Sequence, residues 1–390
     1  MTPIKARLAA AADALAGELE SLSHRIHASP ELGFAEVRAS GWLADFFAAQ
    51  GFAVERGVAG VDTAFRATVE TGAGPTIAIL CEYDALPGIG HACGHNVIAA
   101  AGAGAGAALA AVRDALPAGR IQVIGTPAEE GGGGKVKLIE GGVFGDVDCA
   151  MMVHGFDRNV LHQNLLGVTR AAFEWRGRAA HASADPWAGV NALDACVQTF
   201  NAIAMLRQQV RPDCRIHGII TDGGAAANII PERAAASFSV RAPTVAAMWD
   251  LYERVVACAE GAARATDTEI EVHRQDMVYE PMDSSAVLLD LFADNMRALC
   301  VALDEPVADR TASSDIGNVS QIIPTIHPWI AIAPRGTAIH TREFLDSAAS
   351  PLARAGLLAG AKAMAMTAAD LLASPALVAR AKAALANKPQ

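Results

Sequence analysis

Residues 76–112 read TIAILCEYDALPGIGHACGHNVIAAAGAGAGAALAAV. Thr76 to Leu80 is a short apolar run of the kind that forms a buried strand. Val97 to Val112 is a second apolar run, of about sixteen residues and built largely of Ala and Gly, which is shorter than the roughly twenty needed to cross a bilayer. It predicts a buried helix whose small side chains let it lie close against a sheet. Ile121 to Gly125 and Cys149 to Val153 repeat the buried-strand pattern. A strand, a helix and a strand in that order form a crossover unit, so the sequence predicts an α/β fold with a mainly parallel sheet.

Each of these three strands runs directly into polar residues. Asp84, Cys93 and His95 follow the first, Glu129-Glu130 the second and His154 the third. Open α/β sheets gather ligands at the carboxyl ends of their strands. These motifs are therefore expected on one edge of one sheet.

Residues 5–50 carry helical periodicity that ends at Gly51. The pattern changes after Gly167. Strands are expected over Val168–Arg176, Arg215–Ile220, Ala234–Arg241 and Glu269–Arg274, with helices over Asn191–Arg207 and Val245–Ala265. The order β-α-β-β-α-β is that of a ferredoxin-like α+β domain. We therefore expect an inserted domain at 168–277 within a first domain made of 1–167 and 278–390. The returning chain opens on a helix from Met282 to Leu303, later supplies His340, and ends in an Ala-rich helical tail.

With 52% hydrophobic residues, a net charge of -11 and no Lys/Arg cluster, the chain suits neither nucleic acid nor an anionic membrane as partner. Its seven cysteines are odd in number and irregularly spaced, which points away from a disulfide framework and towards a reducing cytoplasm. Met1 to Leu22 is helical and charged throughout, unlike a signal peptide.

Cys93 and His95, separated by a glycine that lets the backbone bend around an ion, make half of a metal site. The same pair also reads as a buried thiol beside a hydrogen-bonded histidine, or as a nucleophilic Cys-His pair. That last use needs a third group to orient the imidazole and leaves the glutamates and the late histidine without a role. Glu129 and Glu130 end an apolar strand and precede four glycines, which is an unusual setting for a solvated turn. In an extended segment adjacent side chains point opposite ways, so one is expected to ligate a metal while the other handles protons. His154 and His340 each read equally as structural histidines, and His181 has no assignment from the residues alone.

The stretch Glu82 to Asn96 resembles the metal motif of metallopeptidase family 20, and most closely its cysteine-containing amidohydrolase branch. That branch includes aminobenzoyl-glutamate hydrolases, auxin-conjugate amidohydrolases and related dipeptidases. The likeness continues through Pro127 to Gly131, Gly177 to His181, Asn228 to Pro231, Ser314 to Ser320 and His340 to Phe344. It implies a zinc-peptidase-like catalytic domain, with the inserted domain acting as a lid that also forms a homodimer. It further implies two divalent ions, zinc, manganese or cobalt, held by Cys93, His95, Glu130, His154 and His340, with Cys93 bridging. Glu129 would be the general base that activates water between them. His181, from the lid of a partner subunit, would stabilise the oxyanion with help from Asn228. Arg241 would clamp the substrate carboxylate, and Asp84 would orient a ligand such as His95. The implied reaction is hydrolysis of a small-molecule amide, a dipeptide or an N-acyl or N-aroyl amino acid. The alternative is a hydrolytic deaminase or amidase acting on a non-peptide molecule at the same site. Glu82 departs from the pattern, since many members of the branch carry Asp there.

Overall fold

The structure, a computed structural model, describes residues 1–274, 277–307 and 311–387. Residues 275 and 276, just before the expected boundary at 277, lie outside the described residues, as do 388–390 at the end of the expected first domain. The chain divides into two compact units, Met1–Asn164 with the chain from Met282 onward, and Leu165–Pro281.

The first unit begins with α1 (Pro3–Ala14), α2 (Ala16–His27), α3 (Val37–Ala49), β1 (Ala53–Arg56), β2 (Phe65–Glu70) and β3 (Thr76–Cys81). It continues with α4 (His95–Ala111), β4 (Arg120–Gly125), α5 (Gly134–Glu140), β5 (Cys149–Met151) and β6 (His154–Phe156). The second unit holds β7 (Gly167–Arg176), α6 (Ala192–Leu206), β8 (Arg215–Asp222), β9 (Arg233–Ala242), α7 (Val245–Thr266) and β10 (Glu269–Arg274). The first unit then resumes with α8 (Ala286–Ala298), α9 (Ile316–Ile322), β11 (Thr325–Ile326), β12 (Trp329–Ala331), α10 (Arg342–Ser347), α11 (Pro351–Ala373) and α12 (Pro375–Ala386).

The main sheet of the first unit has the order β1-β2-β4-β3-β5-β11. β3 lies between β4 and β5 and is parallel to both, and β11 is parallel to β5. This is the crossover that the strand-helix-strand order requires. Every residue of β3 is buried, as expected of a central parallel strand. β1 and β2 form an antiparallel edge that periodicity does not reveal, because only β2 alternates clearly. The apolar run 149–153 is divided: β5 stops at Met151, and His154 opens β6, which pairs in parallel with β12.

The Ala/Gly run is α4, buried along nearly all its length. A Cβ at Gly102 would sit 2.5 Å from Cys81 Sγ and 3.2 Å from Leu80 O, and one at Gly106 would sit 2.6 Å from a Val123 methyl. Gly104 faces the other way, where a Cβ would meet Leu19 at 2.7 Å and Ala361 at 3.0 Å. The helix is thus closely packed against the sheet on one side and against α2 and α11 on the other. α11 is apolar and long enough to span a bilayer, yet buried residues recur along its whole length, as in a core helix.

The second unit is an antiparallel sheet of order β10-β7-β9-β8. The buried positions of β7 and β9 alternate, and Phe173, Trp175, Phe238 and Val240 form one core with Ala195 and Ile203 of α6 and Leu251 and Val255 of α7.

Because Gly102 touches the sheet, Gly102→Val should overpack the α4–β3 contact and cost about 1–3 kcal/mol. The check is a lower urea midpoint at unchanged slope. An unchanged midpoint would mean that the helix does not lie this close.

Candidate metal centre

The polar residues after β3, β4 and β5 come together at the carboxyl ends of these strands. From β3 the chain passes through Glu82 and Asp84, all but shielded from solvent, to Cys93. Gly94 then adopts a left-handed φ of 83°, so that His95 becomes the first residue of α4. A Cβ at Gly94 would lie 2.9 Å from an Ile332 methyl, so both the turn and the close approach call for glycine.

The glutamate pair corrects the sequence reading. The segment after β4 is not extended. Ala128 has φ 58°, and the chain turns at Glu129 and Glu130. Both carboxylates therefore approach the same imidazole, with Glu129 Oε2 3.9 Å and Glu130 Oε1 3.8 Å from His95 Nε2. The turn is held from two sides. Ala128 N–H donates to Glu36 Oε1 at 2.8 Å, and Glu130 N–H donates to Asp84 Oδ2 at 2.9 Å. Burial is the main cause that pushes the Glu36 carboxyl up to about 7.

Cys93 Sγ lies 3.4 Å from His154 Nε2 and 3.4 Å from His340 Nε2. Glu130 Oε1 is 3.6 Å from His340 Nε2. Three overlapping sets, Cys93/His95/His154, Cys93/Glu130/His340 and His95/Glu129/Glu130, each keep their ligand atoms within 4.8 Å of one another. His340 reaches the group from a left-handed backbone (φ 65°), held by its N–H donating to Ala92 O at 2.8 Å. Such a conformation costs on the order of 1–3 kcal/mol in a non-glycine residue and persists only where its surroundings enforce it.

The donors suit cations. His95 donates its Nδ1–H to Asp84, at 2.9 Å to the carbonyl and 3.1 Å to Oδ1, so its Nε2 lone pair faces the cluster. His154 donates Nδ1–H to Gly155 O at 2.7 Å and likewise turns Nε2 inward. His95 Nε2, Glu82 Oε2 and Glu130 Oε1 are buried without a hydrogen-bond partner. Burial pushes the Cys93 thiol well up, opposed by His95 and reinforced by Glu130, so the thiol ionises there only if a cation takes its charge. Burial opposes a charge on His95, but Cys93 and Asp84 overrule it and pull the ring well up, which makes Nε2 a magnet for a proton or a metal ion. Burial brings His154 down to about 4 and keeps it neutral. Thiol, imidazole and carboxylate together are a donor set for divalent metal.

In the second unit His181 is exposed, and its Nδ1 accepts the N–H of Ala184 at 3.2 Å. Asn228 is its neighbour: Ala182 N–H donates to Asn228 O at 3.0 Å, and His181 bridges Ile229. Arg241 is not brought to this pair. The His181 and Asn228 loops leave from the Arg233 end of β9, whereas Arg241 lies eight residues along the strand. At about 3.3 Å per residue that is roughly 26 Å away.

A family model described as Peptidase family M20/M25/M40 matches residues 78–370. The chain belongs to this family. Among its relatives is the Xaa-Arg dipeptidase of Mus musculus, 38% identical over 96% of this chain and 90% of the relative. Another is a p-aminobenzoyl-glutamate hydrolase chain of Escherichia coli, 28% identical over 90% of this chain and 88% of that protein. A dinuclear metal-binding peptidase of the M20 family from Bacillus subtilis shares the fold, at 20% identity with a TM-score of 0.75, over 93% of this chain and 99% of that one. As an M20-family enzyme, the chain is a metal-dependent amidohydrolase or peptidase that acts on C–N bonds, and its thiol, imidazole and carboxylate cluster suits divalent metal ions.

Other residues at this M20 site escape a reading of the sequence. Lys135 is wholly buried, 2.5 Å from Glu82 Oε1 and 2.6 Å from Asp315 Oδ1. Burial alone would lower its pKa, but the two carboxylates raise it and keep the amine protonated. Trp329 stacks on His154 at 4.5 Å, and His327 stands edge-on to it at 5.3 Å, so the His154 ring is walled by aromatic groups. A lysine directly after four glycines at a strand end is a usable signal, because a buried cation implies buried anions nearby.

In this M20-family enzyme Asp84 orients His95 and anchors Glu130. Asp84→Ala should weaken divalent-metal affinity about 10–100-fold, read by chelator competition, while leaving the far-UV spectrum unchanged. Unaltered affinity would show that Asp84 does not set the geometry of the site.

Proposed function

We propose that this enzyme hydrolyses the amide bond of a dipeptide or of an N-acyl or N-aroyl amino acid. Cys93, His95, Glu130, His154 and His340 would hold two divalent ions, zinc, manganese or cobalt, and Glu129 would serve as general base. The observation that carries the reading is the single thiol between two imidazoles, with Cys93 Sγ 3.4 Å from both His154 Nε2 and His340 Nε2. One sulfur within reach of two ligand groups supports a bridge. Thiolate favours zinc, whereas the carboxylates also suit manganese or cobalt.

Two such ions, when bound, would polarise the scissile carbonyl and acidify the attacking water. The proton work falls to Glu129. Its carboxyl is pushed well up by burial and by the charges of Glu82, Glu130 and Asp315. It therefore takes the proton of the attacking water readily and passes it to the nitrogen of the leaving amine. His181, whose Nδ1 accepts backbone N–H, carries its proton on Nε2, the form that donates to an oxyanion. Asn228 beside it adds a second polar group, and Arg241 supplies a guanidinium fork for a substrate carboxylate.

The separation of roughly 26 Å along β9 between the start of that strand and Arg241 supports a pocket that draws on two copies of the chain. We accordingly propose a homodimer formed by the lid unit. β8 is an edge strand that exposes Ile219 (65%) and Ile220 (45%), the type of edge that pairs with another chain. The seven free cysteines, with Cys93 among the ligands, favour a reducing compartment such as the cytoplasm.

Metal analysis of the purified enzyme should find about two ions per chain, and full activity without metal would sink the mechanism. Glu129→Gln should keep both ions and lose about 10²–10⁴-fold in kcat on the best substrate from a screen of dipeptides and N-acyl amino acids. Retained turnover would remove the base assignment.

A further inference from the structure

The reaction above makes no use of the Lys135 ammonium, although it lies inside the site. Lys135, Glu82 and Asp315 are all shielded from solvent. Asp315 is held by this residue twice, since its Oδ2 also accepts the Lys135 backbone N–H at 2.9 Å. The same two carboxylates form a trio with Glu129 in which the ligand oxygens lie within 4.8 Å of one another. Oxygens bound to one ion at about 2.0–2.6 Å stand no more than roughly 5 Å apart, so the trio has the spacing of a cation site. A second observation points the same way. Glu82 Oε2 is buried with no hydrogen-bond partner and faces His95 Nε2 at 3.5 Å.

We propose that Lys135 is the site's built-in third cation. Its ammonium fills the Glu82–Glu129–Asp315 cavity, keeps a divalent ion out of it, and so keeps Glu129 available to move protons. The inference rests on the two-ion reading. Charge supports it: Glu82, Asp84, Glu129, Glu130, Asp315 and a Cys93 thiolate carry six negative charges, and two divalent ions with one ammonium return five. A neutral side chain at 135 would deepen the deficit by one while leaving the oxygens in place. A metal ion taken up there would coordinate Glu129 and remove it as a base, whereas an ammonium is tethered, does not exchange with the medium and only donates hydrogens.

The test compares the full-length wild type with Lys135→Met, each equilibrated against Mn²⁺ and counted by elemental analysis. The variant should hold about one more Mn²⁺ per chain than the wild type, and Lys135→Met/Asp315→Asn should lose the extra ion. Turnover of Lys135→Met should fall as Mn²⁺ rises through a range that leaves the wild type unaffected. Should Lys135→Met not fold unaided, recovery of its thermal transition by Mn²⁺ would carry the same meaning, and failure to recover would overturn the proposal. Equal ion counts in wild type and Lys135→Met would also overturn it. A wild type without any ion would instead overturn the two-ion reading.

Discussion

Lone pairs turned towards one another in a crowded cluster repel unless something positive lies between them. Cys93, His95, His154, Glu130 and His340 are arranged in that way, with His95 Nε2 and Glu130 Oε1 buried and without hydrogen-bond partners. Hydrogen bonds on the far side of the His95 and His154 rings, to Asp84 and to Gly155 O, fix which nitrogen of each faces inward. Much of the first unit serves to keep these groups together: three strand ends, the start of a helix, and a loop returning from far along the chain.

Holding them there strains the backbone. Ala128 and His340 both adopt left-handed conformations that glycine would take more easily, yet each is held by a hydrogen bond from its N–H, to Glu36 and to Ala92 O. The rigidity behind them comes from α4, whose glycines let it touch β3 and β4 directly. A helix with larger side chains would stand farther from the sheet and carry His95 away from the glutamates. The composition of residues 97–112 and the geometry of the cluster are thus one constraint seen at two scales.

The fold is largely legible in the sequence because its signals are local. The period of residues 76–125 implies the crossover, and the run from 168 to 274 implies the β-α-β-β-α-β order. Most of the converging positions are legible as well, since Cys93, His95, Glu129, Glu130 and His154 each come after a strand. What stays hidden depends on distance or on backbone angle. Ala128 carries no mark of its left-handed turn, so the opposed directions expected for Glu129 and Glu130 do not hold. Lys135 meets partners 53 and 180 residues away, and His340 meets Cys93 across 247 residues, separations over which no periodicity speaks. β1 is too short and too exposed to stand out.

The proposed Cys93 thiolate ligand is the claim on which the other proposed roles depend. X-ray absorption at the metal edge of the loaded enzyme reads it directly. The expected result is a sulfur neighbour at about 2.3 Å that vanishes in Cys93→Ser. A shell of nitrogen and oxygen alone, identical in both proteins, would contradict it.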